Sequence, residues 1–193
     1  MNRLLTTAPS VLEIDGVSYS IDTSFRTALS VFIALRDNAL SNETKIDLMI
    51  RWIYWEYDNP EFNNGQYDEK MVEMAIWYLK CGDIKESKEK KQVIDFEFDS
   101  QRIVDAFNAK NINLDIVDMH WWTFMSHFAA FPECSLTRIM YLRQLYNDGK
   151  LNKKEHKAER EEAAKYGWDI IKIQSEEQVI EELEIQMMES LMR

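Results

Sequence analysis

The chain has 193 residues, with 23 Lys and Arg against 34 Asp and Glu, so its formal charge is −11. That acidity argues against a general nucleic-acid binder, which needs clustered cations to neutralise phosphates. Hydrophobic residues make up 46%, enough for a core, while 5 Gly and 3 Pro are too few for turn-rich sandwiches or barrels, leaving a mainly α chain of one-domain length.

The first element is a hairpin. Val11–Ile14 and Val17–Ile21 flank Asp15-Gly16, a pair that tolerates the positive φ angles of a type I′ turn. A helix follows from Thr23 or Ser24, with Phe25, Leu29, Phe32, Ile33 and Arg36 at helical spacing. Ser41-Asn42-Glu43 opens a second helix that runs to Tyr57, before the Asp58-Asn59-Pro60 break. A third runs from about Tyr67 to Lys80, with Gly82 placed as its stop. Residues 83–92 are almost all polar and read as an internal linker. Val93 to Phe98 reads as extended, and Asp99-Ser100 as the cap of a helix through Phe107. The most apolar helix spans Ile116 to Phe131, stopped by Pro132. Ser135 opens a helix through Ile139, Leu142 and Leu145, and Asn152–Tyr166 is a charged helix closed by Gly167. Residues 1–170 therefore read as a helical bundle with an N-terminal β-hairpin, and 171–193 as an acidic amphipathic helix with Val179, Leu183, Met187 and Leu191 on one stripe.

Placing residues at about 100° apart turns spacing into faces. Ile46, Met49, Ile50, Ile53 and Tyr57 form the core stripe of the second helix, with Leu48, Trp52 and Trp55 on its other side. In the third, Met71, Ala75, Tyr78 and Leu79 are apolar, while Trp77 lies among Lys70, Glu73 and Lys80. Val117, Trp121, Phe124, Phe128 and Phe131 share one arc; His120 and His127 sit on its edge, and Trp122 points nearly opposite. Off-stripe aromatics have two readings. They are a second buried face, or an exposed patch for a protein partner, since Trp and Tyr dominate binding hot spots. Trp52, Trp55, Trp77, His120 and Trp122 are the candidate protein-binding residues.

No catalytic, cofactor or metal site is expected. His120 and His127 lack acidic or Cys partners at ligand spacing and read as hydrogen-bonded structural residues. Cys81 and Cys134 form no CxxC pair and read as reduced thiols. Met1 to Pro9 has no signal-peptide core, and no stretch approaches the roughly 18 apolar residues of a membrane span. The expectation is a cytoplasmic, non-enzymatic protein.

The run Asp115-Ile116-Val117-Asp118-Met119-His120-Trp121-Trp122-Thr123-Phe124 resembles the His-Trp-Trp-x-Phe signature of the phage Gp-fifteen family. That family occurs in tailed bacteriophages and prophages of Gram-positive bacteria. Phe96-Glu97-Phe98-Asp99 before the signature, Ile139-Met140-Tyr141-Leu142-Arg143 after it and the Asp15-Gly16 hairpin agree with the resemblance, which covers about residues 5–168. Lys110-Asn111-Ile112-Asn113-Leu114 departs from the family's usual Tyr-Gly-Ile-Asp-Leu.

The resemblance implies a tail assembly chaperone of the host cytoplasm. Such proteins are encoded between the major tail protein and the tape measure protein, bind the tape measure and help tube subunits assemble around it. It carries no catalytic residues and implies neither nucleic acid nor membrane as partner. A structural tail or connector protein retained in the virion is the alternative. The 10 Met residues suit an adaptable surface for an apolar helical partner. The final helix serves as a partner helix, a homo-oligomer contact or a helix packed on its own domain; the sequence leaves these open.

Overall fold

The structure is a computed structural model that describes residues 7–55, 69–83 and 93–172. It is mainly helical with one small antiparallel hairpin. The proposed linker beyond Asp83, Tyr57, Tyr67 and nearly all of the proposed acidic C-terminal helix lie outside the described residues. Packing divides the chain into two compact units, one of residues 1–86 with 116–129, the other of 87–115 with 130–193.

The first unit opens with β1 (Val11–Ile14) and β2 (Val17–Ser20), paired Val11↔Ser20 through Ile14↔Val17. Asp15 at φ 51° and Gly16 at φ 80° make the expected tight turn, where both residues need positive φ. Leu12 and Ile14 are buried on the inner face, where β1 meets α3 (Glu69–Leu79). Helix α1 (Phe25–Arg36) is capped by Ser24, whose hydroxyl accepts the Arg26 amide. Its buried residues are Phe25, Ala28, Val31, Ala34 and Leu35, whereas Ile33 is exposed. The core stripe is thus turned from the expected one toward small residues, because α1 lies close against α2 (Asn42–Ile53) and α5 (Trp121–Ala129).

Helix α2 buries Ile46, Met49, Ile50 and Ile53, as its spacing predicts. It ends at Ile53 rather than Tyr57. Tyr54 turns extended at φ −95°, ψ 116° and bridges Ile21. Its hydroxyl donates to the Met71 carbonyl at 2.8 Å. Backbone pairing with the strand beyond β2 and a buried phenol bond replace the next helical turn. Helix α5 likewise starts late: Ile116 is 81% exposed, and helical geometry begins only at Trp121.

In the second unit, α4 (Ser100–Asn108) packs on α6 (Ser135–Asn147), which also meets α7 (Lys157–Tyr166) and α8 (Trp168–Ile171). A 3₁₀ turn at Lys154–His156 precedes α7. Leu142, Leu145, Leu151, Ala163 and Ile171 form one cluster. Residues before α4 are turns rather than a strand, since the Asp95 carboxylate accepts the amides of Glu97 and Phe98 at 3.0 and 2.8 Å.

Candidate functional site

The five candidate residues fall into two groups, both in the first unit. Trp77, His120 and Trp122 converge around Tyr78. His120 stands just before α5, where its backbone bridges Ser24. Its Nδ1 lies 3.0 Å from the Trp122 amide, which can only donate, so Nδ1 accepts. Nε2 therefore carries the proton and donates to the Pro9 carbonyl at 2.9 Å. His120 acts as the N-cap of α5 and ties the entry of the hairpin to it.

The two adjacent indoles do one job. Trp121 Nε1 donates to the Leu79 carbonyl at 2.9 Å and Trp122 Nε1 to the Tyr78 carbonyl at 2.8 Å. These are consecutive carbonyls at the C-terminal end of α3, where a helix lacks intrahelical donors. Cys81 at φ 56° and Gly82 at φ 76° turn the chain there, and the Gly82 amide returns to the Trp77 carbonyl at 2.9 Å. A Cβ on Gly82 would lie 2.9 Å from the Trp122 ring, so glycine is required both for φ and for space.

Trp122 is therefore corrected from a partner-facing residue to a core residue, 2% exposed. The helical arc sets it about 100° from Trp121, but both indoles are long enough to reach α3 from their separate positions: Trp121 beside Phe32 and Phe124, Trp122 beside Trp77 at 5.4 Å and Tyr78 at 6.2 Å. Trp77 is half-buried by that contact. The Tyr78 side chain is buried, and its hydroxyl has no hydrogen-bond partner among the described residues. Burial pushes this phenol well above the usual tyrosine range, with smaller contributions from Cys81 and Asp22, so it stays protonated.

Trp52 and Trp55 form the second group. They are 38% and 68% exposed; Trp52 lies beyond half-buried Leu48 on the face of α2 opposite its core stripe, and Trp55 lies just past the helix end. Trp55 continues from α2 into the extended segment beside Ser20, its amide bonded to the Ser20 carbonyl at 3.2 Å. This pair is the accessible part of the candidate surface.

The second unit holds a feature that helix-cap reasoning missed. Asp99 stands at the N-cap of α4 but its side chain makes no cap hydrogen bond: its carboxylate is buried and accepts both Nη groups of buried Arg143. Arg143 also donates to the carbonyls of Ile170 at 2.8 Å and Val93 at 3.1 Å, so one guanidinium fastens three segments to α6. The signal was present as Arg143 closing the motif after the signature and Asp99 closing the one before it. Among the described residues no group of His, Cys, Asp and Glu is placed to hold a metal, and no helix is long and apolar enough to cross a membrane.

A family model described as Bacteriophage Gp15 protein matches residues 5–167. The chain belongs to that phage protein family. The match includes the hairpin, both tryptophan groups and the Arg143–Asp99 pair, and it ends at Gly167, just before α8. No curated protein and no solved structure matches the chain.

Proposed function

We propose that this protein is a tail assembly chaperone: it binds the tape measure protein, and through it the major tail protein, in the host cytoplasm and leaves the tube once assembled. Membership of the Gp15 family over residues 5–167 is the observation that carries this reading. The exposed Trp52 and Trp55 supply the apolar contact that a long helical client needs. The charge of −11 keeps a client-bound complex soluble. Binding alone does this work, without chemistry on the client.

The test is co-expression with the tape measure protein of the same phage or prophage. The soluble fraction of the tape measure rises with the intact chain and the two proteins co-purify. No change in its solubility sinks the chaperone reading. Recovery of this chain from purified particles at fixed stoichiometry would instead make it a structural component.

A further inference from the structure

β2 is flanked on both sides: its continuation is bonded to Ile53 and Trp55, with the Asp22 amide on the Ile53 carbonyl at 2.8 Å. Among the described residues β1 is paired on one side only. The Ile14↔Val17 pair closes the turn, and the Ser10 carbonyl accepts the Ile21 amide at 3.1 Å. In an antiparallel ladder, residues 10, 12 and 14 then turn their backbone groups toward β2, and Val11 and Glu13 turn theirs away. Neither finds a backbone partner among the described residues, and both are exposed. This is an open strand edge, the template for an added strand.

The side chains beside that edge say what fits. By register, Val11, Ser20 and Trp55 lie in a row on the outer face, with Val11 41% exposed and Glu13 on the same face two residues along. A strand laid on β1 sets one side chain beside Val11 and another beside Glu13, which calls for an apolar residue and a cation. A second copy fits poorly: its β1 is equally acidic, and each chain carries −11. We propose that β1 is a docking edge for an extended, basic segment of another protein, bound through the amides and carbonyls of Val11 and Glu13. This inference does not depend on the tape measure reading, because backbone geometry and charge alone define the occupant.

The experiment is residue-resolved amide hydrogen exchange by NMR on the full chain, with a synthetic peptide of alternating valine and lysine as the probe. Exchange at Val11 and Glu13 slows about tenfold or more at saturation, while Leu12 and Ile14, already bonded to β2, change little. Val11→Pro removes an amide that points away from β2, so the ladder keeps its bonds and protection at Glu13 is lost. Glu13→Lys, which leaves the backbone intact, shifts preference to a valine–glutamate peptide and carries the test if the proline variant does not fold. Absence of slowing at millimolar peptide, or equal slowing by the glutamate peptide on the unaltered chain, overturns the proposal.

Discussion

Adjacent tryptophans on a helix are separated by about 100°, so they ordinarily serve different surroundings. Trp121 and Trp122 escape that rule by reaching with their Nε1 groups for consecutive carbonyls at one helix end. Both are buried, so Trp121→Ala and Trp122→Ala each cost about 3–5 kcal/mol, read as a fall in the urea midpoint. A loss at Trp121 alone would show that the second indole contributes little to the fold. Tyr78 tests the same locus with opposite sign. Its hydroxyl is buried without a partner among the described residues, so Tyr78→Phe removes an uncompensated desolvation while keeping the ring contacts with Trp122 and His120. Stability is unchanged or rises by about 1 kcal/mol in the same measurement.

Whole elements were legible where local chemistry decides them. The hairpin follows from Asp15-Gly16, the start of α1 from Ser24, and the start and core stripe of α2 from Ser41 and its four apolar positions. Elements were misjudged where tertiary pairing wins over period. Tyr54 leaves its helix to bridge Ile21, and α5 begins only where His120 caps it, so residues 116–120 have no helical face, while Trp121 is buried as its arc predicts. Asp99 holds the N-cap position of α4 as its sequence suggests, yet its side chain goes to an ion pair with Arg143 of α6 instead of to the cap. The contact of α6 with α7 yields a pH prediction. Arg138 Nε lies 3.0 Å from both Glu162 oxygens, and this hydrogen bond holds the carboxyl below the usual glutamate range. A group lowered on folding stabilises above its unfolded value and loses that contribution as pH falls through the lowered one. The pair is partly exposed, so Arg138→Ala costs at most about 1 kcal/mol at neutral pH. Urea midpoints of variant and parent converge in acid; a gap that persists there assigns the loss to the Arg138 contact with the Tyr141 ring instead.

For the molecule as a whole, the question is which aromatics serve folding and which are free to bind. Five of the six tryptophans belong to the first unit, and burial divides those five. Trp121 and Trp122 are fully committed to the first unit, and Trp77 is half-covered by Trp122. Trp52 is left exposed on a helix whose opposite face already fills the core, and Trp55 is left exposed on the extended segment just beyond it. Exposed side chains that make no core contact change stability by less than about 0.5 kcal/mol when truncated. Large aromatics at a binding hot spot cost 2 kcal/mol or more of affinity, roughly thirtyfold. The double variant Trp52→Ala, Trp55→Ala should therefore keep the parent's thermal midpoint yet fail to hold the tape measure protein in solution. Trp122→Ala should lose both together, through unfolding. If the double variant rescues the client as well as the parent does, these two indoles are not the client-binding surface, and the open edge of β1 becomes the stronger candidate.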